Sequence, residues 1–408
     1  MFFIRSFFKV ATLIGLFLFL NCSGNENNDK TAQEASKTAA LENGASSNVD
    51  RLKSEILRSY AELVYVSYQD ARTETLTLKT ELEAFLATPS EAGLASCKQA
   101  WIAARKPYGQ TEAYRFSSGP IDDMNGPEGF LNGWPLDESY VDYTQQSATT
   151  GIINNPSAYP SIDAELLKGL NERGGEENIS LGYHAIEFLL WGQDSEAPSA
   201  MTSGKRPYTD YLAEKGTAMN QLRRGKYLQI TSKLLVEHLQ VLIDAWAPNV
   251  EGNYRSHFLS MDSDKALKQV ISGIGRLSKS ELAGERMFVA LANQDQEDEQ
   301  SCFSDNTQRD ILHNAQGIRN VYTGSYTRVD GSEFSGPSIH ELVQRLDPNL
   351  ASELIQLSLK TVELCQEIPA PFDYQLISEQ VGGKGPLMNA IVLLQKQGDK
   401  LSQATMLL

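Results

Sequence analysis

Apolar residues recur every three or four positions along most of this chain, the spacing of helices with one buried face. Over residues 51–87 the pattern runs through Leu52, Ile56, Tyr60, Leu63 and Val64, then Leu78, Leu82 and Phe85. Thr88-Pro89-Ser90-Glu91 predicts a fresh helix start, with a capping threonine, proline in the first turn and glutamate three residues after the cap. The stripe of that helix is Leu94, Cys97, Trp101 and Tyr108, and one more step reaches Glu112. A carboxylate is thus expected on a core-facing side, with Arg105 near the same face. Pro107 and Gly109 predict a kink just before it. Residues 117–178 hold Gly, Pro, Asn and Tyr without a sustained period, and long irregular stretches of this kind are often functional.

An apolar helix around His184 follows and ends at Gly192 as a C-cap residue. Helical patterns resume over 209–246, stopping before Pro248, and over 264–277. Ser278-Lys-Ser-Glu281 reads as a capping box for a new helix to about residue 292. Further helices are predicted at 306–323, closed by Gly324, after Ser338, along Leu350, Leu354, Leu357, Thr361, Leu364 and Ile368, and at 386–397. Alternating strands with hairpin signals are nearly absent. The expected class is all-α, with helices packed in antiparallel bundles. Glu112-Ala-Tyr-Arg-Phe116-Ser117 recurs as Glu299-Gln-Ser-Cys-Phe303-Ser304. This repeat, with similar helix counts on either side of residue 205, predicts a duplicated bundle, 50–205 and 206–408.

The start of the chain changes the picture of where it works. Arg5 and Lys9 precede an apolar run from Val10 to Leu20, and Leu18-Phe19-Leu20-Asn21-Cys22 resembles a bacterial lipoprotein cleavage box. Residues 1–22 are read as a signal ending at a lipidated Cys22. Residues 23–49 hold few bulky apolar side chains and are read as a flexible tether. Losing Arg5 and Lys9 with the leader takes the net charge from −16 to −18. That argues against nucleic acid and against a basic membrane-binding surface, so membrane contact is expected through the lipid alone. Cys97, Cys302 and Cys365 then allow one disulfide and one free thiol, with the pair left open. No Cys-x-x-Cys occurs, so a thiolate zinc site lacks support.

Candidate chemistry centres on Gly182-Tyr-His184-Ala-Ile-Glu187-Phe-Leu-Leu-Trp-Gly192. His184 and Glu187 share one face of an otherwise apolar helix. A buried carboxylate must be paired, protonated or bound to a metal. The bland reading is a His–Glu pair that only fixes packing. The chemical one is a metal site, in which His184 supplies nitrogen, Glu187 supplies oxygen, and Glu112 and Asp122 are the further donors. Such mixed ligation suits iron, zinc, copper or manganese. The acidic run Asp295 to Asp305 reads as a solvated loop leading into an N-cap, without calcium-loop spacing of the EF-hand type. His-Glu-x-x-His and Gly-x-Ser-x-Gly are both missing, which leaves zincin and serine-hydrolase chemistry unsupported.

Three segments in order, Arg115-Phe116-Ser-Ser-Gly119-Pro120-Ile121-Asp122, Gly182 to Gly192 and Glu299-Gln-Ser-Cys302-Phe303-Ser304-Asp305-Asn306-Thr307, resemble the imelysin-like, iron-regulated bacterial envelope proteins. The resemblance runs from about residue 50 to the C-terminus. It implies two related helical bundles with a shared site between them. The family signature Gly-x-His-x-x-Glu falls on Gly182, His184 and Glu187. It further implies metal ligands His184 and Glu187 and iron as the metal, zinc or copper being left open, while Glu112 and Asp122 remain the supporting donors read from the residues. Arg105 and Arg115 are expected to grip a carboxylate or an anionic iron chelate, and Glu299 and Asp305 join them as ligand-binding candidates. The family was first classed as metallopeptidases, and many members look instead like iron-uptake components. The expectation here is an envelope lipoprotein, lipid-anchored at the outer membrane, that binds iron or its chelate and works with envelope iron-transport components. A zinc peptidase and a non-catalytic structural lipoprotein are the alternatives. Gln300 and Gln308 stand where relatives often carry histidine, so roles needing those imidazoles are not carried over.

Overall fold

The computed structural model describes residues 27–214 and 216–408, with side chains from residue 48 onward. The expected signal and Cys22 lie outside the described residues. Helix α1 spans Asn27–Ala87. Residues 27–49, expected as part of an unordered tether, are therefore helical. Ala, Glu and Lys recur there, and they favour helix even with few apolar residues to bury.

Residues Asp50–Leu408 form one compact unit. Its α-helices are α2 (Glu91–Thr111), α3 (Gly182–Trp191), α4 (Gln221–Trp246), α5 (Ser263–Arg276), α6 (Thr307–Thr323), α7 (Pro348–Gln366) and α8 (Pro386–Thr405), with shorter turns between them. In one group, α3 packs on α2 and α4; in the other, α8 packs on α5 and α7, and α6 on α7. The groups meet along α2 and α6, so no gap opens at residue 205. The strands found among the described residues are Ser325–Thr327 and Glu333–Ser335, an antiparallel hairpin.

Several helix boundaries differ from the sequence pattern, and the helix expected over 209–246 begins only at Gln221. The cap of α2 is Ser90, whose hydroxyl accepts the N–H of Gly93 at 3.1 Å, in place of Thr88. No new helix starts at Ser278. Instead α5 runs on as a π-helix, Leu277–Phe288, and then as Val289–Asn293. An unbroken helix leaves no amide for a capping box, and the buried Ser278 hydroxyl donates to the Leu394 carbonyl at 2.8 Å. π-Helical stretches are uncommon and recur at functional sites, and this one carries Arg286.

The two matched segments share two local features. Glu112 and Glu299 are both buried. The residues after the matched serines, Ser118 and Asp305, share a left-handed conformation, with φ 56° and 55°.

Candidate metal centre

All ten residues of α3 are buried, as a helix apolar on every side requires. Its first residue has to be glycine. Gly182 has φ +88°, and a Cβ there would stand 2.6 Å from the Leu131 carbonyl oxygen. The Trp101 indole donates to the Tyr183 carbonyl at 2.9 Å, and the Tyr183 hydroxyl pairs with Thr75 of α1 at 2.9 Å. At the far end Gly192, φ +71°, returns its N–H to Phe188, and Tyr211 donates to the Leu189 carbonyl. The helix is thus fixed at both ends, and its two polar side chains cannot swing out to water.

His184 Nδ1 lies 2.8 Å from Glu187 Oε2. Glu187 Oε1 accepts the Ser304 N–H at 3.0 Å and the Ser304 hydroxyl at 2.6 Å. Both carboxylate oxygens are therefore engaged by protein. Glu187 is placed to orient the imidazole, as carboxylates behind metal-binding histidines do. His184 Nε2 is buried and has no partner. Burial, and then the Arg105 charge, push His184 down to about 3, so the ring is neutral. Burial pushes Glu187 up to about 8 against the opposing Ser304 hydrogen bond. When Glu187 is ionised it accepts from Nδ1–H, and Nε2 is left as a bare lone pair.

Four further charges act on His184, namely Arg105, Asp310, Arg286 and Glu112. Glu112, 2% exposed, follows the last turn of α2 and accepts from Arg286 at 2.6 Å through Oε2, while its Oε1 has no partner. Burial works to raise Glu112, but Arg286 and Arg115 outweigh it and hold the carboxyl below its usual range. Arg286 also binds Glu281 and Asn314, so the π-helix fixes the direction from which it meets Glu112. Arg105 binds Asp310 through Nε at 3.0 Å and Asn132 through Nη1 at 2.5 Å.

The predicted residues therefore separate. His184 and Glu187 form one pair, with Glu112 in electrostatic reach. Asp122 stands apart, held by Arg115 Nε at 3.1 Å. Arg115 also serves Glu128 at 3.0 Å and Glu112 at 3.6 Å. Both arginines expected to grip an anion thus spend donors on the protein itself. Glu299 is buried, and Asp305 lies beside Asp194 and Asp373. Cys97, Cys302 and Cys365 are all free, and burial pushes each thiol up, Cys97 and Cys365 to about 12. Sequence reasoning missed Ser304, Asp310, Arg286, Asp194 and Asp373. Ser304 lies inside a quoted segment and Asp310 three residues beyond the same one, while Asp194 lies two residues beyond another. Arg286 and Asp373 carried no local signal.

These features define a class, an all-helical protein built around a fully buried Gly-x-His-x-x-Glu turn. The imelysin family model matches residues 64–401, and the chain belongs to the imelysin family. It is 25% identical over 350 residues to iron-regulated protein A of Synechococcus elongatus, covering 84% of this chain and 82% of that one. Its fold is similar to a crystal structure from Parabacteroides distasonis, provisionally described as an iron-regulated protein A precursor. There the TM-score is 0.68 at 19% identity, over 88% of this chain and 95% of the other. An imelysin-like protein from Psychrobacter arcticum superposes with TM-score 0.55 at 14% identity, over 88% and 93% of the two chains.

Proposed function

We propose that this chain is an envelope lipoprotein that binds iron at His184 and assists its uptake without cleaving peptides. The observation that carries this reading is the buried Nε2 of His184, which has no hydrogen-bond partner, on a ring held by a carboxyl group that is itself fully engaged. A buried nitrogen without a partner is costly unless something fills its place. The free Oε1 of Glu112 is a second orphan whose charge reaches His184. One imidazole and one carboxylate suit iron, and suit zinc or copper as well. The curated relative's name speaks of iron regulation, which favours iron.

Among the described residues, no three ligand-type side chains including His184 converge within 4.8 Å. The protein thus offers an incomplete shell, which favours iron that brings ligands of its own, as a chelate or with water. The iron is cargo in this reading. Attachment is through lipid on Cys22, most simply at the outer membrane, where envelope iron-transport components would be the partners.

The test is metal content and iron titration of the protein lacking residues 1–22, beside His184→Ala and His184→Ala/Glu187→Ala. Stoichiometric iron lost in both folded variants supports the reading. Equal iron in all three proteins, or none in any, overturns it. Chelator-sensitive cleavage of an unfolded protein would favour the peptidase instead.

A further inference from the structure

The loop that clamps Glu187 carries a second constellation. Asp194, Asp305 and Asp373 each offer a carboxylate oxygen, and the three oxygens lie within 4.8 Å of one another. They come from distant parts of the chain. Asp194 is two residues beyond the Gly192 cap, Asp305 lies just before α6, and Asp373 sits in the first turn of the helix Phe372–Ser378. Asp194 and Asp373 are only 8% and 2% exposed.

The independent observation is Glu299. It is 1% exposed, and neither of its carboxylate oxygens has a hydrogen-bond partner. After burial itself, the charges of Asp373 and then Asp305 act on it most strongly, with Asp194 behind them and the nearby Thr307 hydroxyl opposing. Oδ1 of Asp305 is likewise buried without a partner. Several buried carboxylates elsewhere meet an arginine: Asp310 meets Arg105, Glu112 meets Arg286, and Asp142 meets Arg206 and Arg224. Here the cation acting on Asp194 is Lys205, a largely exposed side chain. Four buried or half-buried carboxylates without a buried cation are expensive. An all-oxygen, high-charge ligand set is what hard divalent cations take.

We propose that Asp194, Asp305 and Asp373, with Glu299 beside them, bind a calcium ion at a site distinct from the His184–Glu187 pair. The ion would fasten three segments at once: the end of α3, the loop before α6 and the 371–373 turn. Because Ser304 precedes Asp305, the same ion would steady the clamp on Glu187. Asp194 also lines an open cleft of about 250 Å³ with Gly192, Ser195 and Gly204, which gives the ion a route in. The proposal does not depend on what His184 binds.

The experiment is thermal unfolding of the mature protein with chelator, calcium or magnesium, together with terbium luminescence as a direct probe of binding. Wild type and His184→Ala are expected to gain the same rise in Tm with calcium. Asp305→Asn and Glu299→Gln are expected to bind calcium about tenfold or more weakly, since each removes a charged oxygen from the set. In chelator both should melt no lower than wild type, because each relieves like-charge repulsion, so loss of binding cannot be ascribed to misfolding. A matching response to magnesium supports a hard-cation site of lower selectivity. No response of wild type to either ion, or a full response in both variants, overturns the proposal.

Discussion

Ser304 gives two hydrogen bonds to one oxygen of Glu187, from its N–H at 3.0 Å and its hydroxyl at 2.6 Å. The other oxygen is thereby free to face His184 Nδ1. A residue 117 positions along the chain thus decides which ring nitrogen of His184 is left without a partner. The Gly-x-His-x-x-Glu turn supplies the pair, and the loop 299–307 supplies its orientation.

Glu187→Gln tests that relationship. The amide oxygen can still accept from Ser304, but its NH₂ must donate to Nδ1 and so places the remaining ring proton on Nε2. Iron affinity should fall about 10- to 100-fold, the usual cost of altering a group behind a ligand. The fold should be retained, since no hydrogen bond is lost. Titration with circular dichroism as the control checks it, and unchanged affinity would refute the orienting role.

Arg105→Ala strands Asp310, a fully buried carboxylate, and Tyr183 and Tyr108 lose the cation stacked near their rings. Breaking a buried pair from one side costs about 3–5 kcal/mol. Urea unfolding should show a loss of that size. The double variant Arg105→Ala/Asp310→Ala should recover part of it, because the stranded charge is gone.

Gly182→Ala should destabilise by more than about 2 kcal/mol, as the left-handed backbone alone costs a side chain about 1–2 kcal/mol. The added Cβ also meets the Leu131 carbonyl oxygen at 2.6 Å. Thermal unfolding measures it. A near-neutral result would mean that α3 does not enter as close to residue 131 as the structure has it.

The pH dependence follows from Glu128 and Glu297. Burial raises both to about 7, with Arg115 opposing it at Glu128 and neighbouring carboxylates adding to it at both. Between the ordinary carboxyl range and about pH 7 the folded state holds protons that the unfolded state has released. Stability is therefore highest at the acid end of this window and falls as pH rises through about 7. Glu112 and Asp142 are shifted the other way, their arginines outweighing burial, so their contribution is lost only at lower pH. Tm should drop between pH 5 and 8, and Glu128→Gln, which can still accept from Arg115, should flatten that drop. Parallel curves for wild type and variant would exclude Glu128 as a source.

Much of this was legible without coordinates. The stripe through Leu94, Cys97, Trp101 and Tyr108 is buried, as its spacing required, and its extrapolation to Glu112 ends on a side chain 2% exposed. Gly192 closes α3 as expected. These are local matters, set by the 3.6-residue period and by backbone freedom at glycine. The sequence by itself determined that the protein is helical and that His184 and Glu187 face the core together. It could not tell that Glu187 orients the ring, that Asp122 belongs to Arg115, or that Arg105 belongs to Asp310. Nor could it show that Ser278 continues a π-helical turn toward Arg286, or that Asp194 and Asp373 meet Asp305. Each of those outcomes depends on which groups from distant segments compete for the same hydrogen bonds and charges once water is excluded, and only the packed tertiary structure brings the competitors together.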